Sequence, residues 1–511
     1  MKKIISIRNV VLSTIISLAG VMYCLPANAA TSLQADGLLY HKKYQAAFDI
    51  YMEAAKIGDA EAQYQLGVIH LKGLGQSINN FKAIIWFSLA AEHKHKNAQQ
   101  IYDQLLNDIS AKDKALVLSS ISQFQQRFGL ASIKEKHFPK LITDHVNEVI
   151  RYGEQQLIYP QSSLSDITYS FSDISTDTDA ELGYNDDFGD DEFGDDDFGD
   201  DPAIASLGNK LQEASISSLV ADFDIAQDGS LRHGEVKRAI GDERFAMYNL
   251  HTNPMPSPEF NQQPSHFIHR AYQGISTYDR KRVRQEFPYI YQMARLQVRR
   301  LKNSDQAGHQ YKLALLYMYF PWLEAEDEQI NKLLTLAAKG GQVNAQYELG
   351  LKLYREQTDI RQATYWLSKA ASRGLMQAEY RLGQLLLSSP WIEKDENKAL
   401  LWLEKSAQQN HIAAIKKAAE LRLLAENKEL HNFEQAMKLL AQIEGEELQP
   451  DYLYLRAVAH KDSPTDRRLD LAVKNIRQAI ALGNDYGWDV SGWKKDLANW
   501  TRTSVTITDI D

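Results

Sequence analysis

Small and apolar residues recur along this chain at the three- and four-residue spacing of helices, and one block of letters returns several times. Residues 62–67 read AQYQLG, residues 345–350 read AQYELG, and residues 378–383 read AEYRLG. An alanine lies three positions before each of the tryptophans that follow these blocks, which are Trp86, Trp366 and Trp402. A two-helix unit of about 33–36 residues, used repeatedly, predicts an all-α chain that stacks into an α-solenoid.

These blocks resemble the Sel-1-like repeat family, a relative of the tetratricopeptide repeat. The resemblance covers residues 32–105 and 303–500, so it implies a solenoid of helix pairs in two blocks. It also implies an adaptor or scaffold for other proteins, because most members of the family act in that way, and it does not imply a reaction.

The N-terminus predicts a secretory signal peptide over residues 1–29. Lys2, Lys3 and Arg8 precede an apolar run at 10–22, and Ala27-Asn28-Ala29 offers a small-x-small cleavage site. The expected destination is the periplasm, with an uncleaved membrane anchor as the alternative. No later stretch is apolar enough to span a membrane.

Cys24 is the single cysteine of the 511 residues, and it follows Tyr23, whereas a lipoprotein site needs a small residue there. We therefore expect no lipid attachment. The mature chain would also carry no disulfide and no thiolate metal site.

The net charge of −10 is concentrated in one segment. Residues 186–201 contain ten carboxylates and no cation, and they repeat every five positions around Phe188, Phe193 and Phe198. Such a composition predicts a disordered acidic linker over residues 161–202. The alternatives are an acidic interaction segment or a loose binder of divalent cations.

A basic stretch at residues 280–302 carries eight arginines and lysines against Glu286 as its one acid. It predicts either a solvated helix face or a surface that contacts the acidic segment electrostatically. Nucleic acid is a poor partner for a periplasmic, net-acidic protein.

Residues 224–235, DIAQDGSLRHGE, resemble an EF-hand loop. Ala226 and Arg232 replace two usual ligand positions, while Gly229 suits the sharp turn. The resemblance predicts either a weak calcium site or a degenerate loop that keeps only the helix–turn–helix shape, and calcium is the one candidate cofactor. The candidate metal ligands are Asp224, Asp228, Ser230 and Glu235.

The predicted domains follow the chain in order. They are a signal peptide (1–29), an N-terminal helical domain (30–160) with helices through 108–157, an acidic linker (161–202), an EF-hand-like helical segment (203–265), and a C-terminal solenoid with a capping helix (266–511).

No nucleophile elbow, phosphate loop or dinucleotide fingerprint occurs in the sequence. The leading hypothesis is therefore a non-catalytic periplasmic scaffold that binds a protein or peptide partner of the cell envelope in the concave surface of the solenoid. The alternative is a calcium-responsive regulator. A third class, an enzyme of the cell envelope, has no constellation of residues to support it.

Overall fold

The computed structural model describes residues 31–152, 218–240, 244–443, 445 and 449–502. The predicted signal peptide, the acidic linker and the C-terminal tail lie outside the described residues. Within them, none of the helices combines the length and the apolar character that crossing a membrane would require.

The described residues before position 138 are helical, and they contain the first copy of the repeated block. This block lies on α3, its tryptophan lies on α4, and the two helices pack together as a pair. The helices are α1 (Ser32–Tyr40), α2 (Tyr44–Lys56), α3 (Ala60–Lys72), α4 (Asn80–Glu92), α5 (Ala98–Asn107), α6 (Ala111–Phe128) and α7 (Leu130–His137).

A longer helical array begins at residue 280 and confirms the solenoid prediction. Successive helices contact their neighbours in chain order. They are α9 (Arg280–Glu286), α10 (Pro288–Leu301), α11 (Ala307–Tyr319), α12 (Asp327–Lys339), α13 (Val343–Arg355), α14 (Ile360–Ser372), α15 (Met376–Ser388), α16 (Glu396–Ala407), α17 (Ile412–Leu424), α18 (Phe433–Ala441), α19 (Pro450–Asp462), α20 (Leu469–Asp485) and α21 (Ser491–Thr501). The helix α8 (Arg244–His251) stands before the array.

The glycine of each block lets the two helices of a pair approach closely. A Cβ at Gly350 would lie 2.8 Å from Leu367 Cγ, and one at Gly383 would lie 2.7 Å from Leu403 Cγ. Trp366 and Trp402, on the second helices of these pairs, are buried. Small residues and rings therefore alternate to give the close packing that the repeat requires.

Two small antiparallel sheets interrupt the helical pattern. One has the order β1-β4-β5 and the other the order β3-β2-β6. The strands are β1 (Arg151–Tyr152), β2 (Ser218–Ile225), β3 (Leu231–Ile240), β4 (Pro258–Phe260), β5 (Gln263–Pro264) and β6 (Phe267–Gly274).

The helical prediction for the flanks of the EF-hand-like loop is therefore wrong, because β2 and β3 form a hairpin around it. In β2, Leu219, Ala221, Phe223 and Ile225 pack in one cluster with α8, and the positions between them are Val220, Asp222 and Asp224. Apolar residues at every second position are the pattern of a strand with one apolar face. The observed hairpin follows this pattern and not the loop's resemblance to a calcium site.

The segment 138–152 contains no helix, although helices were expected there. It runs along loops of the C-terminal array instead. Trp391 Nε1 donates to the Glu148 carbonyl at 2.9 Å, and Gln357 and Ile150 exchange two hydrogen bonds. The segment thereby attaches the N-terminal helices to the C-terminal pairs.

The N-terminal helices also contact the second helices of those pairs. Trp402 Nε1 donates to the His137 carbonyl at 2.6 Å, and its ring stacks on Phe138. Arg373, at the end of α14, forms ion pairs with Asp36 and Asp59. The two helical blocks are thus joined by direct contacts as well as through the chain.

Candidate functional site

The first helices of the C-terminal pairs, α13, α15, α17 and α19, surround the β3-β2-β6 sheet. Side chains from all four reach the sheet, and Trp488 beyond them lies under the Arg232 guanidinium at 4.1 Å. Helices so far apart in the chain can contact one small sheet only if they curve around it. This surface, called the concave face below, is the surface on which solenoids bind partners.

Asp224 lies at the centre of the contact between the β3-β2-β6 sheet and the helices. Its carboxylate accepts hydrogen bonds from the Tyr380 hydroxyl and the Arg381 guanidinium, and both partners are buried on α15. Burial by itself would raise the pKa of Asp224, but the Arg381 charge outweighs burial and lowers that pKa below its usual value. Asp224 is therefore an anion held inside the protein by a matched cation.

A second group of charges lies beside it. Arg270 on β6 donates two hydrogen bonds to Asp222, each 2.6 Å long, and one to Glu348 on α13 at 2.9 Å. Lys237 on β3 lies 3.1 Å from the other Glu348 oxygen. Burial opposes ionisation of Glu348, yet the Lys237 and Arg270 charges hold its pKa below the usual value.

The third group is at the C-terminal end of the face. Lys416 on α17 donates to Asp451 on α19 at 3.0 Å, and His233 on β3 lies 3.8 Å from the same carboxylate. Burial lowers the pKa of His233 to about 3 and that of His411, which stacks on Tyr380, to about 4. These imidazoles are therefore neutral in the folded protein at neutral pH.

The charged groups determine the register in which β2 packs against the helices. In β2, Asp222 and Asp224 point to the helices while the intervening Phe223 points to the α8 side. A slip by one residue would place both carboxylates against apolar side chains, which is prohibitive for unpaired charges. Because desolvation offsets much of the attraction in buried ion pairs, these contacts specify the register more than they add stability.

The four predicted calcium ligands do not share one shell in the structure. Asp224 faces α15, and Glu235 pairs with Lys237 and accepts from the Tyr347 hydroxyl at 3.2 Å. Asp228 and Ser230 do meet, 2.6 Å apart, at the tip of the hairpin. No three His, Cys, Asp or Glu side chains converge as a metal site in the described parts of the chain. Calcium binding stays a prediction, and it would require Asp224 to leave Arg381.

Sequence reasoning did not identify the helix residues that contact the sheet, although the repeated block contains a signal for them. The letter after its tyrosine varies while its neighbours stay constant, giving Gln65, Glu348 and Arg381. A constant tyrosine followed by a position that varies in charge is typical of a surface that binds a specific partner. In the C-terminal blocks these positions are buried against the sheet.

The N-terminal copy of the block is arranged differently. Tyr64 and Gln65 are half-buried, and their hydrogen bonds go to Asn97 and Glu61 of the same unit. Val68 and Lys72 continue the same stripe of α3, with Lys72 exposed. The positions that hold the sheet in the C-terminal pairs are thus open to solvent here.

Three comparisons bear on this architecture. The Sel1 repeat family model matches residues 60–95, 343–375 and 377–411. A solved Sel1 repeat protein from Oxalobacter formigenes is 24% identical, and the match covers 40% of this chain and 58% of that one, with a TM-score of 0.31. At that coverage and score the structural likeness carries no argument about activity or partners.

A second solved structure is c5321, a protective antigen present in uropathogenic Escherichia coli strains and displaying an SLR fold. It is 16% identical, and the match covers 94% of this chain and 88% of that one, with a TM-score of 0.26. The assignment of the repeats and of the fold rests on the family match and on the observed helix pairs. Sel1 repeats are typical of protein-interaction scaffolds and are generally non-catalytic. This chain contains three Sel1 repeats and has the fold of an α-solenoid.

Proposed function

We propose that the protein is a non-catalytic scaffold of the cell envelope that binds a protein or peptide partner through the first helix of its N-terminal repeat unit. The observation that carries the proposal is the occupied concave face. There, the stripe that contains Glu348 and Arg381 already holds a polypeptide, namely the protein's own sheet.

The concave face of the C-terminal pairs is not the partner surface in this proposal, which departs from the expectation formed on the sequence. Glu348 and Arg381 are each 2% exposed, and their charges are matched by Arg270 and Asp224. A partner at this place would have to displace the sheet and leave several buried charges unpaired, which is costly.

The N-terminal unit offers the corresponding stripe without a sheet on it. Gln65, Val68 and Lys72 occupy the positions of Glu348, Leu351 and Arg355. Solvent reaches all three N-terminal residues, whereas Glu348 and Leu351 are buried. A stripe of amide, methyl and ammonium groups suits a peptide with carbonyl or carboxylate groups and some apolar surface.

The proposal is tested by capturing envelope proteins on three versions of the full mature chain. They are the wild type, a Gln65→Glu/Val68→Glu variant, and a Leu336→Glu control, which alters a half-exposed leucine on α12. We expect the wild type and the control to retain the same partners and the α3 variant to lose them.

Equal capture by all three baits would overturn the α3 surface. Circular dichroism and thermal melting of each bait distinguish a lost surface from a lost fold. A bait that lacks residues 186–201 should keep the partners, and loss of capture there would place binding in the acidic segment instead.

The location is tested separately. We expect osmotic shock to release the protein, and intact-mass measurement to give Ala30, or a residue within a few positions of it, as the mature N-terminus. Retention of Met1, or a lipid on Cys24, would contradict cleavage of the signal peptide near Ala30.

A further inference from the structure

A strongly basic surface lies on α9 and α10. Six exposed cations define it, and they are called the basic surface below. They are Lys281, Arg282, Arg284, Arg295, Arg299 and Lys302.

Most of this charge has no acidic partner in the part of the chain that the structure describes. Arg282 pairs with Glu286, and Arg295 donates to the Tyr291 hydroxyl. The structure gives Lys281, Arg284, Arg299 and Lys302 no acidic partner among the described residues. On α10 the cations follow at positions 295, 299 and 302, so they form one continuous stripe along the helix.

The acidic segment is tethered next to this surface. The described chain resumes after that segment at Ser218, whose hydroxyl lies 2.6 Å from the Ser276 hydroxyl. Ser276 comes four residues before Arg280, the first residue of α9. The chain that leads away from Ser218 therefore starts at the edge of the basic surface.

The tether is long enough to cross the surface. Sixteen residues separate Asp201 from Ser218. A chain of sixteen residues can span at most about 53–58 Å. The fourteen residues of α10 extend about 21 Å. The length of the tether therefore allows the acidic segment to reach every part of the basic surface.

We propose that residues 186–201 dock on the basic surface of the same chain. Ten carboxylates without a cation meet six exposed cations, and opposite charges at this density attract strongly at low salt. Because both groups stay solvated, the attraction is screened above about 0.1 M salt.

The three phenylalanines of the acidic repeat have a place in this contact. The protein already stacks guanidinium groups on rings, with Arg282 3.7 Å from the centre of Tyr278 and Arg295 5.7 Å from that of Tyr291. Phe188, Phe193 and Phe198 offer the same face to Arg284 and Arg299. A spacer that served only to separate two domains would not require these rings.

The test uses a fluorescent synthetic peptide of residues 184–202 and measures its anisotropy against two proteins at 20 mM salt. One is the full mature chain and the other lacks residues 186–201. We expect the peptide to bind the deleted chain at least tenfold more tightly, because the tethered segment occupies the surface in the full chain. Addition of 0.5 M salt should abolish binding to both.

Two further variants of the deleted chain locate the contact. Arg299→Glu/Lys302→Glu should weaken peptide binding at least tenfold. Lys332→Glu/Lys339→Glu is the matched control on α12, where both lysines are exposed, and it should leave binding within twofold. Circular dichroism confirms that each variant is folded.

Three results would overturn the proposal. Equal binding to the full and deleted chains would mean that the surface is free in the intact protein. Absence of binding to the deleted chain would mean that the surface does not accept the segment. Dimerisation of the full chain but not of the deleted chain, measured by sedimentation, would mean that the segment binds a second copy.

Discussion

The N-terminal repeat unit and the C-terminal pairs are built from the same block, but only the C-terminal pairs enclose a sheet. Shared positions do the same work in both places. Gln63 and Gln346 each donate a hydrogen bond to the carbonyl eight residues earlier, and Trp86 and Trp366 are both buried. The difference lies at the letter after the tyrosine, which is an amide in the first copy and a charge in the others.

That difference separates two functions of one helix. The constant residues build the solenoid, because they face the partner helix of the pair. The variable residues determine what the helix contacts, because they face away from the partner helix of the pair. In the C-terminal pairs these residues contact a sheet of the same chain, whereas in the N-terminal unit no sheet of the described residues lies on them.

The largest expected effect comes from the tryptophan that joins the two regions. Trp402→Ala should cost about 4–6 kcal/mol, since it removes a buried ring and its hydrogen bond to the His137 carbonyl. Hydrogen exchange should then speed up in both α7 and α16. Trp86→Ala is the matched change, and it should speed exchange only in the N-terminal helices. Faster hydrogen exchange in the same set of helices for both variants would contradict the separation of the two regions.

The next effect compares the variable positions directly. Arg381→Ala should cost about 3–5 kcal/mol, because it leaves the Asp224 carboxylate buried without its cation. Gln65→Ala, at the equivalent position, should change stability by less than about 0.5 kcal/mol. Urea unfolding of the two variants measures both numbers. Similar costs for the two would show that the sheet depends on packing and not on its charges.

The hairpin turn gives a smaller effect that exists only in the C-terminal region. Gly229 has a φ of +81°, and a Cβ there would lie 1.9 Å from the Met255 carbonyl oxygen. Gly229→Ala should therefore cost about 1–3 kcal/mol, from strain and displaced backbone. Thermal melting should show the loss, while peptide binding to the basic surface should be unchanged. A neutral substitution would mean that the turn relaxes freely.

The smallest effect concerns pH and the residues that begin α17 and α3. His411 caps α17 by accepting from the Ala414 amide, and Asp59 is its counterpart at α3. Burial lowers the pKa of His411 to about 4, with Arg381 and Lys237 lowering it further and Glu235 and Asp224 opposing them. The stability from neutral His411 is complete above the unfolded value of about 6.5 and is lost as the pH falls.

His411→Asn keeps a capping oxygen and removes the titration. Between pH 6.5 and 5.5 the wild type should lose about 1 kcal/mol more unfolding free energy than this variant. Urea unfolding at the two pH values gives the difference. If the wild type and the variant respond alike to acid, folding does not lower the pKa of His411.

The helix pairs could be predicted from the sequence because their signals are local. The spacing from Gly350 to Trp366, and from Gly383 to Trp402, reports contacts within one pair. The sheet could not be placed in the same way. Its strands were within reach of sequence reasoning, since alternating apolar residues and an Asp-Gly turn predict a hairpin. The resemblance to a calcium loop directed attention to the oxygens instead.

The partners of those oxygens lie beyond local reasoning. Asp224 meets Arg381 across 157 positions of the chain, and Arg270 meets Glu348 across 78. Nothing in the neighbourhood of Asp224 distinguishes a carboxylate that binds a metal ion from one that binds a guanidinium. Only the fold of the whole C-terminal array decides between them.

The enclosed sheet changes how the array must fold. Solenoids fold quickly because each repeat needs only its neighbours, and shorter arrays remain stable. Here β2 precedes α19 by more than two hundred residues, Asp224 is uncompensated until Arg381 on α15 has closed on it, and Glu348 on α13 pairs with Arg270 only once the sheet is in place. The long loops that must close before these contacts form give the array a high contact order, which slows folding. The C-terminal pairs therefore complete their folding together and late, as a globular domain does, and cannot be shortened repeat by repeat.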